Sequence, residues 1–136
     1  MTGLAFLSLF FLLCEVGWQM TVSLALQHGA RAATRFGTTG VTVAGATREQ
    51  AIANLVISST GGVLVPGRLV LTLESFPSLA TLGDPGKVTA GAGGSGQVVR
   101  YTLLYPQPLL TPLARALVSG GTIRHNAVTV IQNEPF

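Results

Sequence analysis

Residues 3–26, GLAFLSLFFLLCEVGWQMTVSLAL, form an apolar stretch in which Glu15 is the only charged side chain. A helix of about 20 apolar residues is long enough to cross the hydrocarbon core of a bilayer. The first proline of the chain is Pro66, so no residue of this region removes a backbone donor from a helix. The stretch therefore predicts a single membrane-spanning helix.

The helical pattern continues beyond this stretch and becomes amphipathic. Arg31 and Arg35 lie four residues apart and therefore share one helix face. The neighbouring face carries small side chains around Gly29, so it either packs closely against the rest of the chain or forms a ligand groove. Gly37 is typical of the residue that follows a helix C-terminus. We predict one helix over residues 1–37, with its first two thirds in lipid and its last third in water.

Residues 38–136 are expected to form a small α+β domain. Alternating or continuous apolar patterns predict strands at 68–76, 97–105 and 122–132. The last of these is apolar on both faces near its end, which favours a central position in the sheet. Pro106 and Pro108 are expected to end the second strand. The pattern predicts about three antiparallel strands, with the tail of the long helix laid across them.

Two short helices and two connections complete the expected domain. Thr47 and Gln50 fit a capping box, which predicts a helix over about 47–55 followed by a turn at 58–62. Thr111 and Pro112 fit the N-cap and N1 positions of a helix that runs to about Val118. Two segments, Thr38–Ala46 and the glycine-rich Gly83–Gly96, are expected to be a connection and a mobile loop.

The composition gives no support for catalysis, for a cofactor or for a nucleic-acid partner. Charged residues make up 10% of the chain, and the basic ones are scattered apart from the pair Arg31 and Arg35, whereas nucleic-acid binding needs a basic cluster. His28, His125 and the single Cys14 lack the spacing of metal ligands. No G-x-S-x-G motif supports a nucleophilic serine. We therefore predict a protein that is not an enzyme and has no metal, cofactor or small-molecule substrate.

Glu15 is the most informative single residue, because a carboxylate at bilayer depth is costly unless it is paired. One interpretation gives it a basic group or a backbone amine of another subunit as its partner. The other places it near the membrane surface, capped by water and by Gln19 one turn later. Trp18 is compatible with both interpretations, since tryptophan favours membrane interfaces. The predicted subunit-contact residues are Glu15, Gly17, Trp18, Gly29, Arg31 and Arg35.

Several short motifs occur in a fixed order along the chain. E-x-G at 15–17 precedes the Ala/Arg-rich QHGARAATRFG at 27–37, and later come VVRYTLLYP at 98–106, LTPL at 110–113 and NEPF at 133–136. This order resembles the TadE/TadG-like proteins of tight-adherence (Flp-type) pilus assembly. The resemblance implies a pilin-like architecture and a minor pilin or pseudopilin in the bacterial inner membrane. It also implies a periplasmic C-terminal domain and other pilin or pilus-assembly subunits as partners.

Processing and orientation leave alternatives open. Members of this family carry a short basic leader, a glycine and an early glutamate, whereas the sequence printed here starts at Met1 within the apolar run. We therefore expect either an upstream start or insertion without processing. Arg31 and Arg35 taken alone would place the C-terminal part in the cytoplasm, and an upstream basic leader would reverse that orientation.

Two further alternatives concern the fate of the helix and the function. Ser23-Leu24-Ala25 fits a small-x-small site, so cleavage of a secretory signal after Ala25 is the alternative to a retained anchor. A membrane-tethered or secreted periplasmic binding module unrelated to pili is the alternative function.

Overall fold

The structure, a computed structural model, describes residues 2–38 and 44–135. Its main elements are α1 (Thr2–Thr38), α2 (Arg48–Ser59), β1 (Val70–Phe76), β2 (Thr89–Ala90), β3 (Val98–Pro108), α3 (Pro112–Leu117) and β4 (Thr122–Gln132). The expected α+β class is confirmed. The sheet has four strands where about three were expected, because the short β2 pairs with β1 at Glu74 and Ser75. Most of the predicted connection Thr38–Ala46 lies outside the described residues.

The helix α1 is continuous over 37 residues, as the absence of proline predicted. It is the one helix in the described chain that is long and apolar enough to cross a membrane. Its first part is largely exposed, with Leu4 75% and Leu13 63% accessible. From Glu15 onward a residue is buried at every third or fourth position, as in a helix that lays one face on a domain.

The sheet follows the order β2-β1-β3-β4, and every pair of neighbouring strands is antiparallel. The helices α1 and α2 cover one face of it. Residues from both helices and from the sheet share one core, and its most deeply buried members are Val22, Leu26, Ala33, Ile52, Val56, Leu64, Val99, Tyr101, Leu103 and Tyr105. The second half of α1 is therefore part of the same hydrophobic core as the strands.

The helix α1 runs in the same direction as β4. Gln19 lies beside His125 near the start of β4, whereas Gly37 packs against Tyr101 and near Ile131. The N-terminal part of α1 consequently leaves the sheet at the end where β3 stops and β4 begins. The helix α3 connects the two strands at this same end.

Two expectations about the strands are wrong. The strand β4 lies at an edge of the sheet, and its Val128 and Val130 are 56% and 40% exposed on the face that α1 leaves uncovered. The strand β3 also continues through Pro106 and Pro108. The Leu109 N–H donates to the Gly121 carbonyl beside β4, so the nitrogens of the alternate positions Pro106 and Pro108 point away from β4. On that other side β1 pairs with β3 only as far as Leu104, so no strand there needs their missing donors.

The predicted helix starts are confirmed. Thr47 and Gln50 form the capping box, with the Gln50 N–H donating to the Thr47 hydroxyl over 3.2 Å and the Thr47 N–H to Gln50 Oε1 over 3.1 Å. The Thr111 hydroxyl accepts the Ala114 N–H at the start of α3. The end of α2 was placed too early, because the helix continues to Ser59.

The glycine-rich loop at 83–96 is tied to the C-terminal segment, which the expectation of a mobile loop did not include. Asn133 is 2% exposed, and its side-chain amide donates to the carbonyls of Ala92 (3.0 Å) and Gly94 (2.9 Å). The loop also contains β2, which pairs with β1. An asparagine of the NEPF motif thus fixes the loop beside the last strand.

The two buried tyrosines of β3 provide a matched test of the core. The Tyr105 hydroxyl accepts the Val65 N–H at 2.9 Å, whereas the Tyr101 hydroxyl has no hydrogen-bond partner in the described chain. Burial also raises the pKa of Tyr101. We expect Tyr105→Phe to lower the free energy of unfolding by about 1–2 kcal/mol, because it leaves the Val65 N–H unpaired. Tyr101→Phe should leave it unchanged or raise it.

Urea denaturation in detergent micelles, followed by circular dichroism, measures the free energy of unfolding of both variants. Equal losses of stability would contradict the assigned hydrogen bonds.

Candidate functional site

The carboxylate of Glu15 is bound by its own chain. Its Oε2 accepts the backbone N–H groups of Leu110 and Thr111, both at 2.9 Å, and its Oε1 accepts Gln19 Nε2 at 2.8 Å. The residue is 4% exposed. Because Thr111 is the N-cap of α3, these bonds join the middle of α1 to the start of α3. The carboxylate thus fixes α3 to the long helix.

The network extends from Glu15 to the last strand. His125 Nε2 lies 2.8 Å from Gln19 Oε1. Since the Gln19 amide nitrogen donates to Glu15, its oxygen must accept, and His125 therefore carries its proton on Nε2. We call the set Glu15, Gln19 and His125 the polar clamp. It connects α1, α3 and β4 at the end of the sheet from which the apolar part of α1 projects.

The clamp makes stability depend on pH through His125. Burial lowers the pKa of His125 from its ordinary value of 6.5. As the pH falls through 6.5, the unfolded chain takes up a proton that the folded chain resists, so the free energy of unfolding decreases. We expect full stability above that pH and a gradual loss below it.

Thermal unfolding in micelles between neutral pH and pH 5.5 measures this loss. His125→Gln should make the thermal stability depend less on pH in that window. His28→Gln, which changes the exposed histidine of α1, should leave the pH dependence of the thermal stability as in wild type. An identical pH profile for wild type and the His125 variant would refute the assignment.

An apolar groove of about 410 Å³ opens beside the polar clamp, between α1, α3 and β4. Its apolar lining includes Val16 and Met20 of α1 and Leu117 beside Val118 at the end of α3. A neighbouring groove of about 420 Å³ lies between Phe11 and the Leu110–Leu113 segment. Within residues 2–38 and 44–135 no group of three or more His, Cys, Asp or Glu side chains could hold a metal ion. This end of the sheet therefore offers apolar surfaces for contact. They surround the polar clamp, whose members are already hydrogen-bonded within the chain.

Three of the six predicted contact residues face the domain of their own chain. Glu15 belongs to the polar clamp. Trp18 packs against the core while its buried Nε1 has no hydrogen-bond partner within the described residues. Gly29 lies against α2, where an added Cβ would be 2.7 Å from Cγ1 and 3.3 Å from the carbonyl oxygen of Val56. The small-residue face of the helix therefore serves packing within the chain.

The other three face outward. Apart from Gly17 itself, its two neighbours and the nearby helix backbone, no heavy atom of the described chain lies within 4 Å of the position that a Cβ on Gly17 would take. Arg31 and Arg35 are exposed and line a shallow depression of about 450 Å³ with His28. Gly17 and the two arginines lie on similar sides of the helix, since their spacings of 14 and 4 residues approximate whole turns. The structure does not bring the six residues into one site, and their contact with another subunit stays a prediction.

The sequence did not identify the partners of Glu15 beyond Gln19. The donors are backbone N–H groups 95 and 96 residues away, which no side-chain pattern marks. The only local signal was Thr111-Pro112, which located the start of α3 but not its contact with α1. His125 was considered only as a metal ligand, and its contact with Gln19 spans 106 positions.

Comparisons of the chain with protein-family models, with curated proteins and with solved structures found no match. The resemblance to TadE/TadG-like proteins therefore depends on the order of the motifs at 15–17, 27–37, 98–106, 110–113 and 133–136.

Proposed function

We propose that this protein is a membrane-anchored minor pilin or pseudopilin-like subunit of a tight-adherence, type IV-like pilus or secretion system. It is held in the bacterial inner membrane by α1, with the α+β domain in the periplasm. It acts in pilus assembly through packing of α1 against other subunits and has no enzymatic activity.

The observation that carries this proposal is that the two faces of α1 differ: one packs on its own domain and the other is uncovered. One face of the helix is buried on its own sheet from Glu15 to Gly37. The opposite face stays uncovered, first with apolar side chains such as Leu13 and Leu24, which are both 63% exposed, and then with Arg31 and Arg35. A long helix with one free face is suited to packing beside equivalent helices in a membrane or in a fibre.

A membrane-tethered binding module unrelated to pili remains the second candidate. The apolar groove of about 410 Å³ favours it, because concave apolar surfaces with a few polar groups are typical of ligand sites. In that function α1 would only anchor the domain, and its outward face would make no specific contact.

Complementation in the source bacterium separates the two candidates. A strain that lacks the gene is supplied with wild type, with Arg31→Glu/Arg35→Glu, or with the control Arg68→Glu/Arg124→Glu, which reverses two exposed charges of the domain. We expect the control to restore surface pili, counted by electron microscopy, and the α1 double variant to restore few at equal protein level. Normal piliation of the deletion strain would refute the pilus function.

Membrane anchoring and orientation are tested independently. We expect the full-length chain to stay in the membrane pellet after carbonate extraction and a C-terminal alkaline phosphatase fusion to be active. Recovery of a soluble periplasmic chain cleaved after Ala25 would instead support signal-peptide removal.

A further inference from the structure

The helix α3 and its neighbours present a second apolar surface, at the end of the sheet from which α1 projects. Leu110, Leu117 and Val118 are 52%, 68% and 37% exposed. Arg115 is the only charged residue of the segment 109–118. A long basic side chain of this kind can cover apolar surface with its stem while its guanidinium stays in water. The composition is that of a surface at the boundary between lipid and water.

This surface is continuous with the apolar part of α1. Phe11 lines one groove together with Leu110 and Leu113, and Val16 lines the other together with Leu117. Both grooves are formed on one side by the helix that is expected to cross the bilayer. Lipid that surrounds α1 at this level therefore also meets α3.

The polar clamp fixes the depth of α3. The predicted span runs from Gly3 to Leu26, but from Glu15 onward one face of α1 is buried on the domain, whereas the helix before Glu15 is largely exposed. A helix rises about 1.5 Å per residue, so residues 3–14 extend over about 18 Å. The two hydrogen bonds of 2.9 Å hold Leu110 and Thr111 at the level of Glu15. The start of α3 is thus held within the predicted span, at the level where the largely exposed part of α1 meets the domain.

Several polar groups of the connection to α3 are hydrogen-bonded within the chain, which favours contact with lipid. The N–H groups of Leu110 and Thr111 are bound by Glu15, and the N–H of Ala114 is bound by the Thr111 hydroxyl. Arg115 Nε donates to the Leu109 carbonyl at 2.7 Å. The carboxylate of Glu15 also lines the groove, but it is 4% exposed and accepts three hydrogen bonds from its own chain, so it needs no water there.

We propose that α3, with Leu110 and Val118 at its two ends, inserts into the bilayer as a second membrane-contact element beside α1. The proposal rests on the membrane anchoring in the proposed function. Acyl chains of the leaflet that faces the domain fill the apolar groove between α1, α3 and β4. Two contact elements instead of one fix the tilt of the domain on the membrane.

Depth-dependent fluorescence quenching tests this inference on the full chain. An environment-sensitive dye is placed on single cysteines in a Cys14→Ser background, in vesicles of phosphatidylcholine and phosphatidylglycerol that contain nitroxide-labelled lipid. Leu117→Cys probes α3, and Leu110→Cys is a second probe of the same surface. Leu79→Cys is the matched control, because Leu79 is also 68% exposed and follows the end of β1 that pairs with Val98, at the opposite end of the sheet. Leu4→Cys reports on the anchor.

We expect lipid nitroxide to quench the dye at positions 4, 110 and 117 several times more strongly than at position 79, and iodide in the buffer to quench it mainly at position 79. Quenching by lipid at position 4 alone would overturn the insertion of α3 and leave the membrane anchor intact. If iodide quenched the dye at position 4 as well, and lipid nitroxide did not, both the membrane anchor and the insertion of α3 would be overturned.

Discussion

Replacement of Glu15 by alanine is expected to lower the free energy of unfolding by about 3 kcal/mol, because buried backbone donors lose a charged acceptor. The variant leaves the N–H groups of Leu110 and Thr111 and the amide of Gln19 without their partner. The contact between α1 and α3 should open before the rest of the fold. Hydrogen exchange of residues 109–118 should rise in the folded protein.

Denaturant unfolding in micelles measures this loss, with the single Trp18, three residues from Glu15, as the fluorescent probe. Glu15→Gln keeps one oxygen acceptor and should lose less stability than Glu15→Ala. Glu134→Ala removes an exposed carboxylate and should change stability little. If Glu15→Ala were as stable as Glu134→Ala, the intrachain role would be wrong, and a partner on another subunit would become the better explanation.

Replacement of Gly29 by leucine should cost about 3 kcal/mol, the upper part of the range for overpacking a close contact. An added Cβ at this position already lies 2.7 Å from Val56 Cγ1, and the backbone carbonyl of Val56 at 3.3 Å leaves little room for adjustment. The helices α1 and α2 would have to move apart. The thermal midpoint, followed by circular dichroism in micelles, should fall accordingly.

Gly17 offers the matched control on the same helix, since within the described residues no other element of the chain is near the position of its missing Cβ. Gly17→Leu should leave the isolated protein as stable as wild type or slightly more stable, because leucine favours a helix over glycine. In the complemented strain, Gly17→Leu should reduce piliation if this face packs against another subunit. Equal stability losses for both variants would contradict the assigned packing of α1 on α2.

Local signals predicted much of the fold. The apolar run predicted α1, and Thr47 and Thr111 marked the starts of the two short helices, because N-caps act within three residues of themselves. The position of β4 was not predictable in this way. Its apolar residues Val128 and Val130 suggested burial on both faces, but the order of strands is decided by pairing across the whole domain.

The candidate site was likewise predictable only where a local sequence signal exists. The cost of an unpaired carboxylate identified Glu15, and the one-turn spacing identified Gln19 as a partner, which the hydrogen bond of 2.8 Å confirms. The partners supplied by Leu110 and Thr111 are main-chain groups, which are the same for every residue except proline. Only the folded arrangement of α1 and α3 could reveal them.

The parallel course of α1 and β4 has a consequence for biosynthesis. Gln19 leaves the ribosome early, but the histidine that completes its bonding is made 106 positions later. Until β4 is made, the buried face of α1, with Val22 and Leu26, lacks one of the two strands on which it packs. If the domain is translocated as proposed, it would reach the periplasm before its closing strand is complete. A chaperone or a neighbouring subunit that shields this face would then have its greatest effect just before β4 emerges.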